Sequence, residues 1–177
     1  MTIEEFIEAR LAEDETIARG AIDPNRPGTN WHWVVTHNGT PLPDGEEAQA
    51  LDDGHHLSLR TLEEFPLSWD PPSTLPAFII GADGGFPGGL RHIARQDPAR
   101  ELREVKFKRR VLGLHEPEQS AQYDDLVIHM VPIVRCVECT GDSAPVLWPC
   151  EEIRALAAVW SDHPDYRPEW AVDGGGP

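Results

Sequence analysis

The N-terminal apolar residues recur with the period of a helix. Thr2 followed three residues later by Glu5 is the pattern of a capping box, and Gly20 supplies a stop. The pattern predicts an amphipathic helix over residues 3–19. Its apolar positions are Ile3, Phe6, Ile7, Leu11 and Ile17.

The next apolar segment has the shorter period of a strand. Residues 31–35 alternate large apolar and polar-tolerant positions, and Asn38-Gly39 suits a tight hairpin turn. Two prolines follow soon after this turn, so we expect the return strand to begin later in the sequence, at residues 56–60. The acidic stretch 44–53 forms the predicted loop between the two strands.

Prolines and glycines dominate the following segment. Residues 66–89 contain five of each, interrupted by the apolar run 77–80. This composition predicts a long loop with a short buried segment. A short helix is then expected at residues 90–96.

Asp97-Pro98 predicts the start of a longer helix that runs to about residue 115, with Asp97 as the cap and Pro98 in the first turn. Apolar groups on two opposite faces suggest a helix enclosed at the centre of the fold. Arg109 projects into the first face, so its side chain must reach solvent or meet a carboxylate. The first face carries Leu102, Val105 and Leu112, and the second carries Phe107, Val111 and Leu114.

The C-terminal third contains one apolar strand and one helix. A polar linker precedes the predicted strand 127–134, in which Pro132 favours an edge position. Pro149 is expected to open the final helix, which Asp162-His163-Pro164 closes. Residues 171–177 are expected to be a disordered tail. The inward positions of the helix are Ile153, Leu156, Ala157 and Trp160.

Composition and charge limit the class of protein. The chain has 177 residues, 40% of them hydrophobic, which suits one domain, expected over residues 1–170. No apolar stretch reaches the roughly 18 residues of a membrane span, and the acidic N-terminus is unlike a secretory signal. We therefore expect a cytoplasmic protein with no membrane partner. The net charge of −16 makes it acidic.

Three cysteines provide the clearest chemical signal. Cys136 and Cys139 have the spacing of a knuckle that presents two thiolates to one tetrahedral ion. Cys150 follows at a predicted helix N-terminus, where backbone N–H groups favour the thiolate. The number of cysteines is odd, and in a reducing compartment spaced cysteines are more often metal ligands, catalytic groups or buried hydrophobic residues than disulfides. The alternative is that the cysteines are inert and buried.

The fourth ligand must come from elsewhere, because Ile153 occupies the position where similar zinc folds place another cysteine. We favour His115, at the end of the long helix beside a flexible linker. His129 is nearest in sequence, and His163 is better suited to cap the last helix. The expected cofactor is a structural Zn²⁺, and residues 136–161 form a zinc knuckle and helix sub-unit.

Two other functions have weaker support. A zinc hydrolase would need an open coordination position and a general base such as Glu138 or Glu151, but the spacing of known zinc deaminases is absent. Residues 91–110 carry a local charge of +5 in which three cations could contact phosphate. The acidic remainder of the chain repels polyanions, so nucleic acid is not the expected partner. These cations are Arg103, Lys106 and Arg110.

Several motifs occur together in a specific order. They are TIEEFIEARLAEDETIAR at 2–19, HIARQDPAR at 92–100, REV at 103–105, KRR at 108–110, His115, Cys136-x-x-Cys139, WPC at 148–150, HPDY at 163–166 and Trp170. This arrangement resembles an uncharacterised family of small proteins from actinobacteria and their phages, a domain of unknown function. The ratio of 13 Arg to 2 Lys agrees with a GC-rich genome.

The resemblance implies no activity. It implies that His115 and the three cysteines occupy recurring positions, which favours His115 as the fourth ligand. The sequence departs from the family pattern at residues 36–89 and between His115 and Cys136, so nothing located there can be inferred from the family.

These observations together predict an α+β fold: an N-terminal helix, a small antiparallel sheet, a long central helix and a C-terminal zinc knuckle followed by a helix. The predicted function is a zinc-stabilised interaction or accessory module whose partner is another protein.

Overall fold

The computed structural model describes residues 1–25, 27–37, 40–41, 55–67, 73–76, 79–82, 92–124, 129–139 and 145–172. The fold is α+β, as predicted. The helices are α1 (Ile3–Gly20), α2 (Pro98–Leu114) and α3 (Glu151–Ala157), with a further helical turn at 92–95 and 3-10 turns at Ala158–Trp160 and Pro168–Trp170. The strands are β1 (Trp31–His37), β2 (Thr40–Pro41), β3 (His55–Thr61), β4 (Glu64–Leu67), β5 (Ser73–Pro76), β6 (Ile79–Ala82), β7 (Pro117–Asp124) and β8 (His129–Cys136).

The chain forms two compact units. Unit 1 consists of Met1–Asp14 and Val105–Pro177, and unit 2 consists of Glu15–Glu104. None of the described helices is long and apolar enough to cross a membrane.

Unit 2 contains an antiparallel sheet with the strand order β2-β1-β3-β6. The strand predicted at 31–35 is confirmed and pairs with the predicted return strand, with Trp33 opposite Leu59. Leu59 is 3% exposed and the adjacent Ser58 is 6% exposed, so both faces of β3 are buried at this point. The predicted turn at 38–39 and the acidic stretch 44–53 lie outside the described residues.

The prediction of a long loop at 66–89 is wrong in part. Three short strands form in or beside it, with β4 paired to β5 and β6 paired to β3. Strands of four residues interrupted by prolines show no period-two pattern, so sequence patterning does not detect them. The apolar run 77–80 lies partly outside the described residues, and burial of its side chains is not described.

Unit 1 is built on the predicted apolar face of α1. The capping box is confirmed, because the Glu5 amide donates to Thr2 Oγ1 at 3.2 Å and the Thr2 amide donates to Glu5 Oε2 at 2.7 Å. Four apolar residues in the part of α1 that belongs to unit 1 are buried along one face, as an amphipathic helix requires. The shared core consists of Ile3, Phe6, Ile7, Leu11, Val105, Leu112, Cys136, Cys150, Ile153, Ala157 and Trp170.

Aromatic rings from the C-terminal segment surround Phe6. The ring of Trp170 lies 5.1 Å from that of Phe6, and the rings of His163 and Tyr166 lie at 5.8 Å and 6.0 Å. Edge and tilted contacts of this kind stabilise beyond the area that they bury. The HPDY motif and Trp170 therefore hold the C-terminal segment against α1.

The two-faced burial predicted for α2 is wrong. Val105 and Leu112 are buried, but Phe107 is 66% exposed and Leu114 is 48% exposed. Among the described residues, only the first face of the helix contributes side chains to the core of unit 1. Arg109 does meet a carboxylate, with its Nε 3.4 Å from Glu8 Oε2. The start of the helix is confirmed, since the Arg100 amide donates to Asp97 Oδ1 at 2.6 Å.

The polar linker predicted after α2 is a strand. β7 pairs with β8 in an antiparallel ribbon, and Pro132 lies opposite Ala121. The sequence gives no alternation here, because the described side chains of β7 are exposed or half-buried. The strand predicted at 127–134 is confirmed from His129 onward as β8, which continues to Cys136, and residues 127 and 128 lie outside the described residues.

The last helix forms with a shifted start. α3 begins at Glu151 with Cys150 at its N-cap, so Pro149 precedes the helix and does not open it. Ile153 and Ala157 are fully buried, whereas Leu156 and Trp160 are half-buried against the core. Of the tail predicted at 171–177, Ala171 and Val172 have irregular structure and the remainder lies outside the described residues.

Candidate metal centre

The β7–β8 ribbon places the end of α2 beside the CxxC knuckle. Pro117 lies opposite Cys136 in the ribbon, and the Val137 amide donates to the Glu116 carbonyl at 3.0 Å. His115 directly follows α2, and its amide still bonds to the Val111 carbonyl at 3.2 Å. The backbone of His115 therefore lies between the end of α2 and the first pair of the ribbon.

The third cysteine reaches the site through a segment that runs antiparallel to the end of β8. The Cys136 amide donates to the Val146 carbonyl at 2.9 Å, and the Trp148 amide donates to the Val134 carbonyl at 3.0 Å. These bonds bring the chain back beside Cys136 two residues before Cys150. Cys150 then lies at the N-cap of α3, as the sequence predicted, where unpaired helix N–H groups favour negative charge.

The four predicted ligand residues meet in one cluster. His115 Nδ1 lies 3.4 Å from Cys136 Sγ, 3.3 Å from Cys139 Sγ and 3.5 Å from Cys150 Sγ. All four donor atoms lie within 4.8 Å of one another. A tetrahedron with Zn–S of about 2.3 Å and Zn–N of about 2.0 Å separates its nitrogen from each sulfur by roughly 3.5 Å. The arrangement is compatible with a metal site of that size.

Burial of the cluster is uneven. Cys136 is 0% exposed and Cys150 is 1% exposed, whereas Cys139 and His115 are half-buried. All three thiols are free. Burial, together with a hydrogen bond to Glu152, raises the pKa of the Cys139 thiol, and burial also raises the pKa of Cys150. Thiols held protonated in this way must release protons when a metal binds.

Carboxylates surround the accessible side of the cluster. His115 and Cys139 line an open depression of about 630 Å³ together with Glu138, Glu151 and Glu152. Sequence reasoning considered the first two glutamates but missed Glu152, which accepts a hydrogen bond from Cys139 Sγ at 3.3 Å. A hydrogen bond from its own backbone N–H, and then the one from Cys139, lower the pKa of Glu152. Its position two residues after Cys150, in the first turn of α3, was the available signal.

The two alternative histidines lie elsewhere. His129 is exposed at the start of β8, seven residues before Cys136, and is not part of the cluster. The His163 ring contacts Phe6 and the Arg10 guanidinium, and its amide bonds to the Trp160 carbonyl at 3.0 Å. His163 therefore follows the last helical turn, near the capping position that the sequence suggested.

The candidate phosphate contacts are exposed. Arg103, Lys106 and Arg110 lie on α2 at positions exposed to solvent, and the described part of the chain contains no ion pair to any of them. The other cations of this helix are engaged: Arg100 pairs with Glu104 at 2.7 Å, and Lys108 lies 5.1 Å from the ring centroid of Trp160.

The chain matches the model of a protein family. The model of a family described as a family of unknown function (DUF6221) matches residues 1–172, including the segment 36–89 in which the recognised motifs are absent. No curated protein and no solved structure matches the chain. The match confirms the coarser part of the expected resemblance, a family of unknown function, and does not test the motifs or the actinobacterial and phage origin. Because the match covers nearly the whole chain, the protein belongs to the DUF6221 family.

Proposed function

We propose that His115, Cys136, Cys139 and Cys150 bind one structural Zn²⁺ ion. The observation that supports this proposal is the approach of the imidazole nitrogen to all three sulfurs at 3.3–3.5 Å. Thiolate and imidazole donors in a tetrahedral set suit zinc better than magnesium or calcium, which prefer oxygen. The ion would connect the end of α2, the knuckle and the start of α3.

A structural role is favoured over a catalytic one by the number of donors. A hydrolytic zinc keeps a position open for water, whereas four protein donors complete a tetrahedron. Glu138 and Glu151 are exposed beside the cluster, but a general base requires a metal-bound water on which to act. The zinc hydrolase is therefore not the function that we propose.

We further propose that the zinc-stabilised fold is an interaction module that binds another protein in the cytoplasm. We propose that the protein is encoded by an actinobacterium or by one of its phages. Three free thiols near one another suit a reducing compartment. The net charge of −16 favours a protein partner with basic groups over a nucleic acid, since it repels polyanions.

The metal proposal is tested by metal analysis combined with histidine variants. Purified protein should contain one zinc per chain, and His115→Ala should reduce the zinc content and weaken zinc affinity by more than tenfold. His129→Ala and His163→Ala are the matched controls, because each removes an imidazole outside the cluster, and both should retain zinc. Cobalt substitution should produce the absorption bands of tetrahedral thiolate coordination in wild type.

Two results would contradict the proposal. One is protein purified without zinc that neither takes up zinc nor changes in stability when zinc is added. The other is full retention of zinc by His115→Ala together with loss of zinc in His129→Ala, which would show that the wrong histidine has been assigned.

A further inference from the structure

A groove of about 460 Å³ in unit 1 plays no part in the metal cluster. Its apolar surface includes Trp148, Pro149, Val134 and Trp170, and its volume is within the range of pockets that bind ligands, about 300–1,000 Å³. Aromatic and proline surfaces of this kind bind extended chains and the apolar stems of long side chains.

Both charged residues of the groove are acidic. Glu4 and Glu169 line it, and no basic residue does so among the described residues. Glu4 is half-buried, and its Oε1 accepts a hydrogen bond from Trp148 Nε1 at 2.9 Å. Nowhere in the described ranges does a cation pair with Glu4. A partly desolvated carboxylate without a counter-ion gains free energy when a cation binds beside it.

A contact at the rim of the groove indicates which kind of cation binds there. The guanidinium of Arg167 lies 5.5 Å from the centroid of the Trp170 ring, and its Nη1 lies 3.7 Å from Glu169 Oε1. An indole face beside a carboxylate therefore holds a guanidinium in this molecule. Trp148 and Glu4 offer the same pair of groups, joined by their own hydrogen bond, with no guanidinium described beside them.

We propose that this groove binds a basic segment of the partner protein, with one arginine or lysine side chain lying against Trp148 and pairing with Glu4. The inference rests on the proposed function as an interaction module and specifies the chemistry of the partner. The charge of −16 carried by the whole chain attracts such a segment at long range, and the two carboxylates orient it at short range.

The experiment follows the indole N–H resonance of Trp148 by NMR in the zinc-loaded, full-length protein. The probes are acetyl-Pro-Arg-Pro-amide, the same peptide with citrulline in place of arginine, and N-acetylarginine methylamide. Citrulline keeps the shape of arginine but has no charge. We expect the arginine peptide to shift the Trp148 resonance in a saturable manner at physiological salt, the citrulline peptide to bind at least tenfold more weakly, and the single amino acid to bind more weakly than the peptide.

Charge-matched variants identify the site. Glu4→Gln, which keeps an acceptor for Trp148, and Glu169→Gln should each weaken binding of the arginine peptide at least threefold. Asp162→Asn removes one exposed carboxylate elsewhere in unit 1 and should leave binding unchanged.

Three results would overturn the inference: no shift of Trp148 at millimolar arginine peptide, equal binding of the citrulline peptide, or equal weakening by Asp162→Asn. Binding of the single amino acid as tightly as the peptide would instead indicate a site for a small cation and would also contradict a protein partner. Zinc content measured on the same samples separates these failures from failure of the metal proposal.

Discussion

Cys139 and Cys150 differ in exposure, and this difference separates two explanations of the cysteine cluster. Cys150 is 1% exposed, whereas Cys139 is half-buried at the open depression. If the thiols were only small core residues, replacing Cys150 would cost stability and replacing Cys139 would cost little. If both bind zinc, both replacements remove a ligand.

We therefore predict that Cys139→Ser and Cys150→Ser each lower the free energy of unfolding of the zinc-loaded protein by on the order of 3 kcal/mol or more. After zinc is removed with a chelator, the cost of Cys139→Ser should fall to within about 0.5 kcal/mol, as for an ordinary surface substitution. Urea denaturation with and without chelator measures both values. A small cost of Cys139→Ser in the zinc-loaded protein would contradict its role as a ligand.

Glu63 provides a second test at the level of one residue, in unit 2. Its Oε1 accepts hydrogen bonds from the Thr29 amide at 3.1 Å and from Asn30 Nδ2 at 2.8 Å. Partial burial alone raises the pKa of Glu63, but these hydrogen bonds outweigh it and hold the pKa below its ordinary value. The carboxylate is therefore stabilised more in the folded than in the unfolded state.

We predict that Glu63→Gln lowers the free energy of unfolding by about 1–3 kcal/mol at neutral pH, because its hydrogen bonds are made to a charged group. Since the folded-state pKa lies below the unfolded one, this contribution is present above the unfolded pKa and is lost as pH falls through the folded pKa. The difference between wild type and variant in urea denaturation should shrink on acidification. A difference that stays constant down to about pH 3, below the ordinary pKa of glutamate, would contradict the prediction. Asp162→Asn is the exposed control.

Helix α1 shows how far a periodic pattern predicts packing. Its apolar positions and its capping box were predicted, and Ile3, Phe6, Ile7 and Leu11 belong to the core of unit 1. Ile17 continues the same pattern but is 65% exposed. The period of a helix identifies which residues share a face, whereas burial depends on whether another element covers that face.

Two identical substitutions on α1 test this difference. Ile7→Ala should lower the free energy of unfolding by about 2–5 kcal/mol, because Ile7 is 0% exposed and its removal leaves a cavity. Ile17→Ala should stay within about 0.5 kcal/mol of wild type. Thermal or urea denaturation measures both, and equal costs at the two positions would show that the described packing of α1 is wrong.

Helix α2 also shows that an apolar face predicted from the sequence need not be buried. Apolar residues on two faces suggested an enclosed helix, yet Phe107 and Leu114 are exposed while Val105 and Leu112 are buried. The sequence shows which faces of the helix are apolar, but it does not show how many neighbouring elements pack against the helix.

At the scale of the whole molecule, zinc should stabilise unit 1 by joining elements that are distant in sequence. We predict that a chelator lowers the melting temperature and speeds hydrogen exchange at the amides of Cys136, Val137 and Trp148, whose hydrogen bonds bring the ligands together. The amides that pair β1 with β3 in unit 2 serve as the internal reference and should change less. Hydrogen exchange followed by NMR measures each amide, and uniform or absent changes would contradict a local structural zinc.

Local signals predicted much of this protein from its sequence. The N-terminal caps of α1 and α2, the periodic face of α1, the CxxC spacing and the cysteine at the start of α3 depend on residues a few positions apart, so they can be interpreted without a fold. The proposal of His115 as the fourth ligand also began from its place at a helix end, and the structure brings it to the three cysteines.

Other features depend on contacts between segments far apart in the chain. The polar strand β7 exists because it pairs with β8, and this register places His115 beside Cys136. Glu152 reaches Cys139, and Glu4 reaches Trp148, across 13 and 144 positions of sequence. Local composition and spacing do not reveal such pairings, because the two partners interact only when the chain has folded. The surroundings of the metal cluster and the acidic groove were therefore determined by the tertiary structure alone.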